Sequence, residues 1–247
     1  DKLPFELYDQ IRNRHGQDAT GTALERDAPI ATSRGCRWRC RYCHISNEKQ
    51  NIGNLRFHSI GRVVREIEYL KSLGVKRLYL KDDSFTADKP RAAEILTQIA
   101  DIGMTIFGTN GINIRDLFLP DGEIDEAFLA LCGTAGLKQL VFPVESGSQR
   151  ILDKYATGKV QLERMALEAL MATMTRMGIA APVNMMIGFP DETEAEIQQT
   201  IDLGKRLREV GAPYVSFMYV VPFPGSQLFD MATQNGHLAQ GFDPSTL

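Results

Sequence analysis

The chain has 247 residues, 43% hydrophobic and 24% charged, with 28 basic against 31 acidic side chains and a net charge of −3. That balance fits a single globular α/β domain and argues against nonspecific nucleic-acid binding. No apolar run is long enough to span a membrane, no signal peptide is visible, and four cysteines are too few for a disulfide-stapled scaffold.

Residues 1–27 are polar and mixed, with Pro4 and two glycines, and read as a lead-in with one short helix. Ala28 to Ser33 forms a short strand that delivers the run Arg34-Gly35-Cys36-Arg37-Trp38-Arg39-Cys40-Arg41-Tyr42-Cys43, and the polar stretch 47–54 reads as an exposed connection. A repeating rhythm of helix, glycine and strand follows. Ile60, Val63, Val64, Ile67 and Leu70 share one helix face, with Ser59 as N-cap and Gly74 as stop, before a strand at 77–81. A second helix over 88–101 ends at Gly103 and leads to a strand at 105–110. A third near 123–134 precedes a strand at 138–144. The fourth carries Leu162, Met165, Ala166, Ala169, Leu170 and Thr173 as its stripe, stops at Gly178 and precedes a strand at 180–187. In the fifth, Thr193 and Glu196 form a capping box and Gly211 ends the helix, before a last strand at 214–221.

Six strands joined by five helices imply parallel strands and right-handed crossovers, as a barrel, a partial barrel or an open doubly wound sheet. In barrels, catalytic residues come from the C-terminal ends of strands, where nearly every unusual polar residue of this chain sits.

Three of the four cysteines fall within positions 36–43. A structural zinc site wants four ligands in two short pairs, but Cys132 is far away in a helix-like stretch and reads as a buried small hydrophobe. A ferredoxin-type cluster wants four cysteines with a tight first gap. Thiolates at this spacing can converge on one centre while the loop wraps around it, as iron-sulfur clusters require, and three ligands would leave one iron of such a cluster open. At the strand ends stand Lys81-Asp82-Asp83-Ser84-Phe85-Thr86, Glu145-Ser146-Gly147-Ser148, Met185-Met186-Ile187-Gly188-Phe189-Pro190-Asp191-Glu192 and Val221-Pro222-Phe223-Pro224-Gly225. Taken alone, the acid pair is a turn that leads to a helix cap at Asp88, the serines are helix caps, and the methionines are core.

The pattern Cys-x3-Cys-x2-Cys, with Tyr42 before the last cysteine, resembles the cluster motif of the radical S-adenosylmethionine (radical SAM) enzymes, and the later segments match that family in order along nearly the whole chain. The resemblance implies a partial (β/α)6 TIM-type barrel over residues 28–230, followed by a C-terminal extension over 231–247. It implies a 4Fe-4S cluster on Cys36, Cys40 and Cys43, with SAM chelating the open iron. Asp82 and Asp83 stand where many members hold the SAM ammonium with Gly-Gly-Glu. Glu145 and Ser146 match a ribose- and carboxylate-binding segment. Met186, Gly188 and Val221 lie in segments whose backbone meets adenine, and Tyr42 flanks the cluster. Glu192 supports its loop; His44, Arg115 and Lys154 are lesser candidates for the barrel mouth.

The family's reaction cleaves SAM by one electron into methionine and a 5'-deoxyadenosyl radical that abstracts hydrogen from carbon. Asp-Asp-x-Phe-Thr and Glu-Ser-Gly-Ser look most like the subgroup with a cobalamin-binding domain, which implies a cobalamin-dependent C-methyltransferase acting on a small-molecule or natural-product substrate. The cobalamin would come through a domain not in this chain, since the sequence, starting at Asp1 and ending at Leu247, reads as an excerpt. A flavodoxin or ferredoxin would be the reductant, and a reducing cytoplasm the setting. A methylthiotransferase is the second reading, and a noncatalytic iron-sulfur electron carrier a third.

Overall fold

The computed structural model describes residues 27–45, 55–110, 112–238 and 242–243. The expected lead-in helix and the connection at 47–54 lie outside the described residues.

Strands β1 (Asp27–Ile30), β4 (Arg77–Leu80), β5 (Thr105–Gly108) and β6 (Leu137–Leu140) pair side by side in parallel. Strands β7 (Phe142–Glu145), β8 (Val183–Ile187) and β9 (Val215–Tyr219) form a second parallel set. The expected single strand at 138–144 is therefore split at Val141. That residue's N–H goes back to Gly108 O at 3.0 Å, while Leu140 N and Phe142 N reach forward to Ala180 O and Pro182 O at 2.9 and 2.8 Å. One extended run thus passes its hydrogen bonds from β5 to β8. In sequence order the strands make a six-membered parallel array, as the alternating units predict and as the partial barrel implied by the resemblance requires. Two short strands, β2 (Ser33–Arg34) and β3 (Arg56–Phe57), pair antiparallel and bracket the cysteine loop.

Seven α-helices cover the outside of the array among the described residues: α1 (Ile60–Ser72), α2 (Lys89–Ile99), α3 (Glu126–Thr134), α4 (Gln149–Tyr155), α5 (Leu167–Arg176), α6 (Glu194–Glu209) and α7 (Gln227–Gln234). Helices α4 and α7 are too short to show a full apolar stripe, so periodicity misses them. Helix α3 starts three residues later than its periodicity suggests because Asp125 caps it, accepting from Phe128 N at 2.9 Å. Helix α5 starts at Leu167, not Leu162: the preceding residues form turns in which Arg164 N and Met165 N both bond Gln161 O. The capping box of α6 forms as its residues dictate, and Asp88 caps α2. Ser59 holds the N-cap position of α1 but its side chain makes no capping bond.

Alternation along β4 and β5 sends Leu78, Leu80 and Ile106 into one core with Val63, Ile67 and Leu70 of α1 and Ala92, Ile95 and Leu96 of α2, and the two end residues of β6, Leu137 and Leu140, join it. Each fully buried aliphatic side chain contributes about 1.5–3 kcal/mol, enough in sum to fix the strand ends as a rigid rim. No helix among the described residues is long and apolar enough to cross a membrane.

Candidate active site

The thiol loop is anchored from three directions. Asp82, just after β4 and 1% exposed, accepts from Thr32 N (3.0 Å), Thr32 Oγ1 (2.7 Å) and Ser33 Oγ (2.5 Å). Asp83 accepts from Gly35 N at 2.7 Å, one residue before the first thiol. Arg91 of α2 donates to Thr32 O and His58 O at 2.9 and 2.7 Å, tying both arms of the β2–β3 ribbon together. On the far side, Arg41 N donates to Tyr155 O, Leu228 N to Arg41 O, and the Cys40 thiol lies 3.6 Å from Ala156 O. The acid pair after β4 is therefore a grip on the cysteine loop, with Asp82 fully engaged in it.

All three thiols line one cavity of about 530 Å³ at the C-terminal ends of the strands, shared with Trp38, Tyr42, His44, Asp83, Asn113, Glu145 and Lys159. Cys40 is buried and Cys36 and Cys43 are half-buried; none of the four cysteines forms a disulfide. Among the described residues, no three His, Cys, Asp or Glu side chains converge on a single metal-ion position. One ion needs its thiolates within about 2.3 Å of a common point, whereas an iron-sulfur cluster spreads them over separate irons and demands a cavity between them. Three thiols from one loop around a cavity suit the second geometry.

Lys159 is the residue that the sequence reading missed. Its Nζ pairs with Glu145 Oε1 at 2.7 Å, both side chains about nine-tenths buried, and it lies 5.8 Å from the Tyr42 ring centroid. Burial works against its charge, but Glu145 and the thiols Cys40 and Cys36 outweigh that and hold its ammonium above the usual lysine range. Burial pushes the Cys43 thiol up to about 11, with Cys40 and Cys36 adding to the rise and Lys159 opposing it. The Tyr42 hydroxyl is held well above its ordinary range by burial, then by Glu145 and Cys40. A fixed cation beside three thiols offsets the negative charge that their ionisation creates.

Local backbone explains how this pair forms. A register shift in β7 lies between Pro143 and Glu145, and Glu145 itself has φ 75°, the left-handed region that a non-glycine residue adopts at a cost. Thr157, two residues before Lys159, is the other described non-glycine residue there, with φ 54°, followed by Gly158 at 69°. These turns aim Glu145 and Lys159 at each other across the mouth. The position was hidden in the sequence because the short α4 that carries the turn was hidden too.

The remaining expected site residues support the rim. Ser146 is fully buried, its hydroxyl 3.1 Å from Thr200 Oγ1 and accepting from Ser148 N, while Ser148 caps α4 and donates to Glu196 at 2.8 Å. Arg150 binds Glu196 and Asp191, and Tyr155 and Lys154 also bind Asp191, so Lys154 belongs to this brace and not to the cavity wall. Glu192 accepts from Gly188 N and Phe189 N at 2.6 and 3.2 Å, the loop support expected of it. Met186 packs beside Tyr42 against the Ile151–Tyr155–Phe189–Leu228 cluster, Gly188 has φ 85°, and Val221 O accepts from Phe223 N. Met186, Gly188 and Val221 sit at the β8 and β9 ends; Asp82, Ser146, Met186, Gly188 and Val221 are not on the wall of the thiol cavity, whereas Tyr42, Asp83 and Glu145 are.

Gly147 is fixed by packing. A Cβ there would come 2.4 Å from Gln199 O and 2.7 Å from Thr200 N, so only glycine lets the loop after β7 lie on α6. Gly147→Ala is expected to cost about 3 kcal/mol, roughly 6–12 °C in the thermal midpoint for a chain of this size. Calorimetry finding an unchanged midpoint would show that this close approach is absent.

A family profile described as "Radical SAM superfamily" matches residues 30–204. The chain is 30% identical over 240 residues to a protein of Pyrococcus horikoshii named "Uncharacterized methyltransferase PH0819", covering 96% of this chain and 48% of that protein. It is 26% identical to cytidylyl-2-hydroxyethylphosphonate methyltransferase of Streptomyces wedmorensis, covering 96% and 44% of the two chains. It is also 26% identical to a tRNA-2-methylthio-N(6)-dimethylallyladenosine synthase of Sulfurihydrogenibium, covering 92% and 51%. The chain thus spans about half the length of these curated relatives. Among solved structures, the radical S-adenosylmethionine methyltransferase TsrM from Kitasatospora setae superposes with a TM-score of 0.66 at 19% identity, over 84% of this chain and 39% of that one, in agreement with the partial barrel. With the profile covering most of the barrel and the thiol loop at its mouth, the chain belongs to the radical SAM superfamily of enzymes.

Proposed function

We propose that this chain is the radical SAM core of a cobalamin-dependent C-methyltransferase. The observation that carries the radical SAM part is the cavity at the barrel mouth, lined by Cys36, Cys40 and Cys43 from one loop and by the Lys159–Glu145 pair. Cys36, Cys40 and Cys43 would hold a 4Fe-4S cluster. When bound and reduced, the cluster with SAM supplies a 5'-deoxyadenosyl radical that removes hydrogen from a substrate carbon. Asp83 faces the cavity with a second oxygen beyond the one bound to Gly35, and suits an ammonium. Asp82 and Ser146 act as positioning residues through the thiol loop and α6. Lys159 keeps the negative charge of the thiolates and Glu145 compensated, while Tyr42 and Trp38 exclude water from the thiols. The similarity to two methyltransferase-named relatives supports methyl transfer, with cobalamin held by a part of the protein outside this chain. A flavodoxin or ferredoxin would deliver the electron, in a reducing cytoplasm.

The similarity to the tRNA methylthio synthase favours a second reading, a methylthiotransferase. The two are separated by purifying the full-length protein anaerobically, counting iron and cobalamin, and measuring products with SAM and dithionite. One cluster, bound cobalamin, and both 5'-deoxyadenosine and S-adenosylhomocysteine are expected. Two clusters per chain without cobalamin binding would overturn the proposal in favour of the methylthiotransferase.

A further inference from the structure

We propose that the substrate of this enzyme carries a phosphoryl group, held in a basic cleft beside the thiol cavity; the proposal rests on the radical SAM reading for where the reacting carbon lies. The cleft has a volume of about 740 Å³, within the range of small-molecule sites. Four cations, Arg37, Lys89, Arg115 and Arg164, face two carboxylates, Asp116 and Asp121, in a chain whose net charge is −3. The charge there is local and opposite to that of the whole.

The pairing of these groups shows which charges are available. Arg37 is engaged by Asp116, whose other oxygen takes Thr86 Oγ1 at 2.7 Å, and Lys89 is engaged by Asp125 at 2.5 Å. Asp121 accepts from Glu123 N at 3.1 Å. Arg115 and Arg164 have no ion-pair partner among the described residues. Two unpaired guanidinium groups across one cleft ask for an anion with several oxygens. A phosphoryl dianion offers three oxygens to two planar forks, whereas a carboxylate fills one. Phe118 and Leu119 form an apolar wall for the organic part of such a molecule.

The cleft also connects to the chemistry. Arg37 and Arg115 wall a smaller cavity together with Trp38, and Trp38 in turn lines the thiol cavity. Arg37 and Trp38 lie between Cys36 and Cys40, so the loop that presents two of the thiols also forms the passage. Two buried N–H donors at this junction have no partner, Trp38 Nε1 and Asn113 Nδ2. Asn113 is oriented by Arg115 N, which donates to its Oδ1 at 3.2 Å. A buried donor without a partner is unfavourable, and a ligand rich in acceptor oxygens relieves it.

The test is anaerobic isothermal titration calorimetry of the cluster-loaded protein with phenyl phosphate, and with benzoate as a carboxylate of similar size. One saturable site for phenyl phosphate is expected, with benzoate at least about tenfold weaker. Arg115→Gln and Arg164→Gln are each expected to weaken phenyl phosphate about tenfold and the double variant to abolish its binding. Both side chains are exposed, so thermal midpoints should not move; Arg164→Lys, which keeps the charge but not the fork, should give an intermediate loss. Equal affinity for the two ligands, or a double variant that binds as the parent does, overturns the proposal. SAM binding is titrated on the same parent sample: its loss with phenyl phosphate binding intact counts against the radical SAM assignment and leaves the cleft standing.

Discussion

Cys40→Ala is expected to leave a folded protein that retains almost no iron after anaerobic reconstitution, where the parent retains about four atoms per chain. Cys36→Ala and Cys43→Ala should do the same. Each removes one of three thiols lining one cavity, and no fourth cysteine is near enough to replace it, since Cys132 is buried in α3 within the helix-facing core. Cys132 supplies the control. Its side chain is 2% exposed in the packed core and off the wall of the thiol cavity, the place of a small hydrophobe and not of a ligand. Cys132→Ala should keep full iron and SAM cleavage and lose only packing, on the order of 1 kcal/mol. Equal iron loss in Cys132→Ala and Cys40→Ala would end the three-thiol assignment. 5'-Deoxyadenosine formation should follow iron content across all four variants, because the cluster that Cys36, Cys40 and Cys43 would hold would supply the electron for SAM cleavage.

Much of this site is legible in the sequence, and the reason is local. Cys36, Cys40 and Cys43 are close in the chain, so their convergence needs only one loop. Helix starts at Asp88 and Thr193 are likewise set by residues within one turn. What periodicity cannot show is the use to which a polar residue is put once the strands are side by side. Asp82 and Asp83 read as a turn or as cofactor ligands, yet their carboxylates reach back some fifty positions to Thr32, Ser33 and Gly35. Ser146 reads as a ligand or cap and instead meets Thr200 on a helix that begins much later in the chain. Gly147 is a contact point with no room for a side chain, and the residues that crowd it, Gln199 and Thr200, lie some fifty positions away. Lys159 is invisible for the same reason: its partner, Glu145, comes to it only through a register shift and two left-handed turns.

Lys159→Met is expected to destabilise the protein by about 3–5 kcal/mol, because it leaves the Glu145 carboxylate buried and uncompensated beside the thiols. Desolvation of a charge is costly and Glu145 pairs with no other cation among the described residues, so unfolding in urea should shift to lower concentration with its slope unchanged. Removing both charges should be far milder. In Lys159→Met/Glu145→Leu the buried pair becomes an apolar contact, and most of the lost stability should return. Function should return only in part. Without the fixed cation, adding an electron to a cluster on Cys36, Cys40 and Cys43 is harder, so the midpoint potential of Lys159→Met should fall below that of the parent in a titration followed by electron paramagnetic resonance, while the double variant, which loses an anion with the cation, should lie between the two. A purely structural role for Lys159 predicts the parent potential in Lys159→Met as well, and that result would remove Lys159 from the tuning of the site. Lys159→Met as stable as the parent would instead mean that Glu145 finds water or another donor, and that the pair closes the mouth without supporting the fold.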